Sequence, residues 1–311
     1  MSPAIRLGDE TREERAAPPP AAPRLDRARL ELDGVATRMI RTRGHGAPAV
    51  LLHGWLDNAE TWLAVLERLA ALDRSAIAYD QPGFGVAPAL GPENVLDQLA
   101  DFAEEAVIQA AERSGRKVVV VGNSLGGWVA LRLAERSDLP IAGVVPIGPA
   151  GIRMAPLFFT ADRIPAVSQL ISFPAPVPPA LTRRVVGRLY RALAFGDPSS
   201  VDQVVIDRFT RYNVERSVIR QRIDYAKRIR GDLENPFDAD AIKVPVTVIW
   251  GDRDRLCVPA GADKLAEMLP HAKIVMLEGI GHTPQIEAPE VVVDAIEELA
   301  AKSPPIAPRR H

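Results

Sequence analysis

Ser124 stands at the point where a short apolar strand gives way to a helix. Four consecutive valines, 118–121, are too few for a helix and too apolar for a loop, so they predict a strand buried on both faces. Residues 128–134 then place apolar side chains along one face of a predicted helix. Gly122 and Gly126 flank the bend between them, where a Cβ would meet neighbouring backbone. A serine at such a bend points its hydroxyl away from the sheet, so Ser124 is a candidate nucleophile, and a helix-capping serine is the alternative.

A neutral serine hydroxyl is a poor nucleophile unless a base removes its proton and a third group orients that base. Open α/β sheets build their sites at the carboxyl ends of strands, so both partners should follow later strands. The predicted strand 244–250 is followed by Asp252 and Asp254, and the last predicted strand by His282 in a glycine-flanked loop. With His282 as the base and one aspartate as the orienting group, Ser124 could attack a carbonyl carbon. The residues alone leave open which aspartate takes part.

The Gly-x-Ser-x-Gly pattern around Ser124, between a strand and a helix, resembles the nucleophile elbow of the α/β-hydrolase family. The resemblance covers about residues 25–302 in element order and includes the family's chain order of serine, acid and histidine. It implies that the acid is Asp254, which stands three residues after Gly251 and before a Val-Pro step. Asp252 is then expected to be a solvated turn carboxylate.

The same resemblance implies a mechanism of acyl transfer to serine followed by hydrolysis, with His282 as the base that Asp254 orients. The oxyanion of the tetrahedral intermediate would be bound by the backbone N–H groups of Leu125 and Trp55. We expect no metal and no cofactor. The turn that begins at Asp80 also resembles one of the family, and we expect a structural role for it.

Strands alternate with helices over most of the chain, which predicts parallel pairing through right-handed crossovers. Asp33-Gly34 predicts the turn of a hairpin near the start. We therefore expect an α/β fold with a doubly wound, mostly parallel eight-stranded sheet. The predicted strands that follow the hairpin are 49–52, 77–80, 118–121, 141–147, 244–250 and 273–277, and the helices between and after them are 60–71, 95–113, 128–134 and 287–301.

The alternation stops between about 149 and 241, where helical patterns occur without strands. We interpret this part as an inserted helical cap. The proline-rich ends predict tails, the first of them disordered. The predicted division is a tail at 1–24, a core at 25–150 and 241–303, a cap at 151–240 with helices at 181–195, 201–213 and 218–230, and a tail at 304–311.

Composition narrows the classes of partner. The 311 residues are 47% hydrophobic and carry a net charge of −2, so nothing indicates binding to nucleic acid. No apolar run approaches the ~18 residues of a bilayer helix. One cysteine, Cys257, excludes an internal disulfide, and we expect it to be a small packing residue. With no signal-peptide pattern at the start, we predict a cytoplasmic protein that acts on a small apolar ester or ketone; its oligomeric state is left open.

The leading functional hypothesis is a carboxylic-ester hydrolase for small or medium acyl chains, with the apolar segments 157–159 and 170–173 lining the acyl pocket. The alternative is a hydrolase of carbon–carbon bonds in vinylogous diketones from aromatic-ring breakdown. Asn123 before the serine resembles that group, whereas Thr283 stands where the group usually has tryptophan. A third hypothesis is a non-catalytic, ligand-binding relative.

A basic run in the predicted cap has two possible interpretations. We expect a solvated helix face, and the alternative is a binding site for a carboxylate. The run consists of Arg220, Arg222, Lys227, Arg228 and Arg230.

Overall fold

The computed structural model describes residues 25–155, 178–234 and 237–303. Within these ranges eight strands form one sheet in the order β1-β2-β4-β3-β5-β6-β7-β8, with β1–β2 and β2–β4 antiparallel and the other pairs parallel. The predicted doubly wound, mostly parallel eight-stranded sheet is therefore confirmed. The strands are β1 (Asp26–Leu32), β2 (Val35–Thr42), β3 (His45–Leu52), β4 (Arg74–Tyr79), β5 (Val118–Asn123), β6 (Ile141–Ile147), β7 (Thr247–Gly251) and β8 (Lys273–Leu277).

Helices lie on both faces of this sheet and also between β6 and β7. None in the described ranges is both long and apolar enough to cross a membrane. They are α1 (Leu63–Ala71), α2 (Val95–Ser114), α3 (Leu125–Ala134), α4 (Pro179–Ala194), α5 (Gln203–Thr210), α6 (Arg216–Ile229), α7 (Ala260–Met268), α8 (Pro284–Glu287) and α9 (Pro289–Ala301), with a 3-10 turn at Ala59–Trp62 before α1.

Strand β5 forms the middle of the core because both of its faces are covered. Val118 and Val120 belong to the apolar cluster that includes residues of α2 and α3. Val119 and Val121 belong to the cluster on the other face, with residues of α1 and α9. Successive side chains of a strand point to opposite faces, so four valines in a row supply both layers at once.

The hairpin and the helical part of the chain agree with the sequence. Asp33 and Gly34 both have positive φ, as a two-residue turn between β1 and β2 requires. Between β6 and β7 the described residues 178–234 form helices α4, α5 and α6 and a 3-10 turn, and we call this range the helical insertion. The predicted tails and the segments 157–159 and 170–173 lie outside the described residues.

The turn from β5 into α3 is tight because strand and helix backbones approach each other closely. A Cβ on Gly122 would lie 2.0 Å from the carbonyl oxygen of Gly126, and a Cβ on Gly126 would lie 2.2 Å from that of Leu52. Ser124 lies between the two glycines with φ 53° and ψ −111°, a backbone conformation that residues other than glycine rarely adopt. The packing of α3 against the sheet therefore imposes the conformation of Ser124.

Adding one methyl group at Gly126 tests this constraint. We expect Gly126→Ala to lower the free energy of unfolding by about 1–3 kcal/mol or more, since the methyl group meets backbone that cannot move alone. Gly231→Ala is the matched control, because its Cβ meets nothing within 4 Å, and it should change stability by less than about 0.5 kcal/mol. Urea denaturation measures both, and equal midpoints for the two variants would contradict the argument.

Candidate active site

Ser124 is held in its strained conformation by backbone hydrogen bonds from several elements. Its N–H donates to the carbonyl of Ile147 at the end of β6, at 2.8 Å. Its carbonyl accepts from the N–H groups of Trp128 in α3 and Ala150 after β6, both at 3.0 Å. The residue is 8% exposed. These bonds place its side chain at the carboxyl end of the sheet, above the N-terminus of α3.

Asp254 and His282 form a buried pair. His282 Nδ1 lies 2.7 Å from Asp254 Oδ2, and each residue is less than a tenth exposed. The other carboxylate oxygen of Asp254 accepts from the N–H groups of Leu256 and Cys257, at 2.8 and 2.9 Å. Because both oxygens have partners, the carboxylate can only present one fixed edge to the imidazole.

Asp252 has a different partner. Its Oδ1 accepts from the N–H of Gly279 at 2.7 Å, so it links the loop after β7 to the loop after β8. Asp252 is exposed, whereas Asp254 is buried. Of the two aspartates, the structure brings Asp254 to His282 and leaves Asp252 on the surface.

Asn123 connects the histidine loop to the serine turn. Its side-chain amide donates to the carbonyl oxygen of His282 at 2.8 Å, and the N–H of His282 donates to Ala194 in the helical insertion at 2.7 Å. Both backbone polar groups of His282, its N–H and its carbonyl oxygen, thus have partners. In the sequence Asn123 was only a point of resemblance, and nothing there indicated that its amide would position a residue 159 places away.

The loop after β3 approaches the same turn. A Cβ on Gly54 would lie 3.2 Å from the Cβ of Ser124, so only glycine fits there without displacement. His53 fixes this loop: its Nδ1 donates to the carbonyl of Gly54 at 2.8 Å, and its Nε2 accepts from the N–H of Gln81 at 3.0 Å. Burial lowers the pKa of His53 to about 4, so the ring is neutral near pH 7. Trp55 follows directly in this fixed loop.

The second predicted donor, Leu125, is the first residue of α3. The first N–H groups of a helix have no partner within the helix, and the helix dipole adds a partial positive charge there. The N–H of Leu125 thus lies next to Ser124 at the helix N-terminus, a position suited to binding an anionic oxygen.

Asp80 is buried and bound on both oxygens. It accepts from Nε and Nη2 of Arg38 at 3.0 Å each, from Ala59 N–H at 2.8 Å and from Val86 N–H at 3.0 Å. These bonds join the middle of β2 and the end of β4 to the 3-10 turn, which is a structural role.

Asp57 is a buried carboxyl group that our sequence analysis did not select. A cavity of about 70 Å³ lies between the loop after β3 and the helices α4, α5 and α8, and its lining includes Asp57, Tyr190, Phe209 and Ile286. Burial raises the pKa of Asp57 to about 7, and hydrogen bonds from the Thr61 side chain and the Asn58 backbone act in the opposite direction. The signal in the sequence was only an acid five residues after the end of β3, and its burial depends on tertiary packing.

Two other residues qualify the sequence-based expectations. Cys257 is 1% exposed, and burial raises the pKa of its thiol well above the usual value, with Asp254 acting in the same direction; it packs in the core as expected. Arg222 is 6% exposed, so the expectation of a wholly solvated basic face in the helical insertion is wrong at this position. It lies against the rings of Phe84 and Tyr225.

A larger cleft of about 480 Å³ lies at the opposite end of the sheet and includes Arg41, His45, Arg113 and Arg116 in its lining. None of the candidate catalytic residues contributes to it. Since sites in open parallel sheets form at the carboxyl ends of strands, cleft size is a poor guide to the chemistry here.

Comparison with known proteins identifies the family and the fold. The chain matches the model of the alpha/beta hydrolase family over residues 49–295. It is 28% identical over 273 residues to pimeloyl-(acyl-carrier protein) methyl ester esterase from Nitrosomonas europaea, covering 85% of this chain and 100% of that protein. It is 23% identical over 269 residues to monoacylglycerol lipase ABHD6 from Homo sapiens, covering 83% and 76%. A solved serine hydrolase involved in carbazole degradation, CarC, shares the fold with a TM-score of 0.70 at 22% identity, covering 89% and 99%.

Asp57 generates a prediction about stability. Its carboxyl group keeps a proton up to about pH 7 in the folded protein, whereas the unfolded chain releases it near the ordinary value of 3.8. The folded state therefore binds more protons between these values, and the free energy of unfolding falls as pH rises from about 4 to 7. Asp57→Asn should remove this decline and gain at most about 4 kcal/mol over the wild type at pH 8, the equivalent of about three pKa units.

Urea denaturation between pH 4 and pH 8 measures this difference. The matched control is Glu67→Gln, which changes an exposed acid on α1 and should run parallel to the wild type. If Asp57→Asn also ran parallel to the wild type, the carboxyl group would not be protonated in the folded state.

Proposed function

The chain belongs to the alpha/beta hydrolase family, and from that premise we propose that it is a serine hydrolase that cleaves carboxylic esters with small or medium acyl chains. The observation that carries the proposal is the 2.7 Å contact between His282 Nδ1 and Asp254 Oδ2, held beside the strained turn of Ser124. A buried carboxylate at Nδ1 keeps the proton on that nitrogen. The other ring nitrogen, Nε2, is then the proton acceptor.

In the proposed reaction, Ser124 Oγ attacks the ester carbonyl while its proton passes to Nε2 of His282. Asp254 stabilises the imidazolium that forms and itself remains ionised. The imidazolium gives its proton to the departing alkoxide, which leaves an acyl-enzyme and an alcohol. Water then repeats the sequence: His282 takes its proton, the hydroxide attacks the acyl carbon, and Ser124 recovers its proton as the acid leaves.

We assign the binding of the tetrahedral oxyanion to the backbone N–H groups of Leu125 and Trp55. The close approach of Gly54 to the Ser124 Cβ supports this assignment, since it brings the loop after β3, which carries Trp55, to the nucleophile. Loss of one such donor in a serine enzyme costs about 3 kcal/mol of transition-state stabilisation. The neutral His53 forms a hydrogen bond through each ring nitrogen, and it contributes by fixing the loop rather than by transferring protons.

The choice of esters draws on the relatives as well as on the site. The names of the Nitrosomonas and human relatives describe ester hydrolysis, of a methyl ester and of monoacylglycerols. Ester hydrolysis by an activated serine needs no cofactor, so the proposed groups are chemically sufficient for this reaction.

We further propose that the helical insertion covers the site as a cap. Two contacts between the insertion and the core support this: Ala194 accepts the N–H of His282, and Asn213 Nδ2 donates to the carbonyl of Leu56 at 2.5 Å. Both core residues lie in loops that carry proposed catalytic groups. The insertion therefore contacts these loops directly.

The nucleophile is tested with a fluorophosphonate probe and an aryl ester. We expect the wild-type protein to be labelled at one site and to hydrolyse 4-nitrophenyl butyrate, and Ser124→Ala to lose both properties while keeping its melting temperature. Mass spectrometry of the labelled peptide identifies the site. A folded wild type that is neither labelled nor active would contradict the proposal.

The assignment of the acid is tested by the same isosteric change at Asp254 and at Asp252, with loss of His282 as the reference. Asp254→Asn should lower kcat by about 10⁴-fold, because it favours the wrong tautomer of His282, and His282→Gln should lower kcat by about 10⁶-fold. Asp252→Asn is the matched control in the same loop and should leave kcat within about threefold. A larger loss for Asp252→Asn than for Asp254→Asn would reverse the assignment.

The bond that is cleaved is tested with a substrate panel. Aryl esters of two to eight acyl carbons are compared with a vinylogous diketone from aromatic-ring cleavage. We expect kcat/KM to be higher for at least one ester, because the acylation step proposed here expels the oxygen leaving group of an ester. A higher kcat/KM for the diketone than for every ester would replace the ester proposal by carbon–carbon bond hydrolysis.

A further inference from the structure

Arg222 is a buried cation with incomplete hydrogen bonding. It lies on α6 of the helical insertion and is 6% exposed. Its Nε and Nη1 atoms are inaccessible to solvent and have no hydrogen-bond partner among the residues that the structure describes. Buried polar groups in native proteins nearly always have a partner, so such a group needs an explanation.

The surroundings of Arg222 are aromatic. Its guanidinium carbon lies 4.5 Å from the ring centre of Phe84 and 5.7 Å from that of Tyr225. Burial lowers its pKa to about 10, and the group that acts in the opposite direction is the phenol of Tyr225. No carboxylate of the described chain takes part in this balance. Contact with two rings stabilises a cation, but rings accept hydrogen bonds poorly and leave the N–H groups unsatisfied.

Arg38 shows how this protein treats an arginine with a structural role. Its guanidinium donates to both oxygens of Asp80, to Glu60 at 2.9 Å and to Asn58 at 3.1 Å. Although burial acts against the charge, these carboxylates raise its pKa. Arg222 is buried like Arg38, but Tyr225 takes the place of the carboxylates and is too weak to offset the effect of burial on its pKa.

Arg222 also lies near the proposed catalytic centre. The Phe84 ring beneath it is 5.5 Å from the ring of Trp55 and 5.7 Å from that of His53. Its charge acts on His53 and lowers the pKa of that ring further. The next residue of the same loop, Gly54, approaches the Cβ of Ser124. The cation is therefore separated from the nucleophile by one aromatic side chain and one loop.

We propose that Arg222 binds the carboxylate of an anionic substrate, so that the enzyme acts on esters that carry a second, ionised carboxyl group, such as half-esters of dicarboxylic acids. This inference rests on the ester hydrolysis proposed above and names its substrate class. The carboxylate would accept hydrogen bonds from the unsatisfied N–H groups. A charge-assisted hydrogen bond between a carboxylate and arginine is among the strongest that either group forms. The apolar rings around the cation would exclude water from the pair.

The experiment compares esters that differ only in this charge. On the acyl side, 4-nitrophenyl hydrogen adipate is compared with 4-nitrophenyl hexanoate, and on the alcohol side, 4-carboxyphenyl hexanoate with 4-acetylphenyl hexanoate. We expect the wild type to have the higher kcat/KM for the anionic ester of at least one pair. Arg222→Gln should lower that anionic-to-neutral ratio by about 10- to 100-fold, and Arg222→Lys should lower it less.

The ratio corrects for any general loss of activity caused by the substitution. Lys227→Gln removes an exposed charge from the same helix and should leave the ratio within about twofold of the wild type. A wild type that favours the neutral ester in both pairs, or an unchanged ratio in Arg222→Gln, would overturn the inference. An equal fall of the ratio in Lys227→Gln would attribute the preference to the overall field of the insertion and would also overturn it.

A binding measurement separates this inference from the proposed reaction. Adipate should raise the melting temperature of the wild type and should not raise that of Arg222→Gln, whether or not any ester is hydrolysed. If no ester is turned over but this difference is found, the proposed reaction fails and the anion site stands. If neutral esters are turned over through Ser124 and adipate shifts both proteins equally or neither, the anion site fails and the reaction stands.

Discussion

The close packing of α3 against the sheet is the constraint on which the rest of the site depends. Because Gly122 and Gly126 let backbone meet backbone, the chain has to turn within a few residues at the end of β5. This turn holds Ser124 at positive φ. The hydrogen bond that Ser124 donates to Ile147 and the one that it accepts from Ala150 keep it there. The free energy for this strain comes from the two apolar layers that cover the four valines of β5.

The second constraint is how buried charges are compensated. Asp80 and Asp254 each have both oxygens occupied, which fixes the first as a structural link and the second as an orienting group for His282. Asp57 has no ion pair with a cation among the described residues, and burial raises its pKa to about 7, so it is mostly neutral below that pH. Arg222 can do neither, because a guanidinium stays protonated near pH 7 even with a lowered pKa. The rings of Phe84 and Tyr225 compensate part of this charge, and an external anion is the further compensation proposed above.

Much of the fold could be predicted because it depends on local patterns. The alternation of apolar strands and helices, the Asp33-Gly34 turn and the glycines around Ser124 each act over a few residues and are readable in order. Asp254 differs: spacing did not separate it from Asp252, and only resemblance favoured it, because the conformation of one loop decides which carboxylate reaches His282. The burial of Asp57 and Arg222 could not be predicted at all, since it depends on elements far apart in the chain that meet only in the folded protein.

The two parts of the chain also divide the chemistry. The core supplies every group proposed to move a proton or bind the oxyanion, and these groups sit on strand ends and tight turns that packing holds rigid. The helical insertion supplies Arg222, and it packs on the core through Tyr225 and Ile229, which belong to the main apolar cluster. It also accepts the N–H of His282 at Ala194. A change at Arg222 leaves the bond between Ala194 and His282 in place, so it can alter which ester is held without moving the reacting atoms.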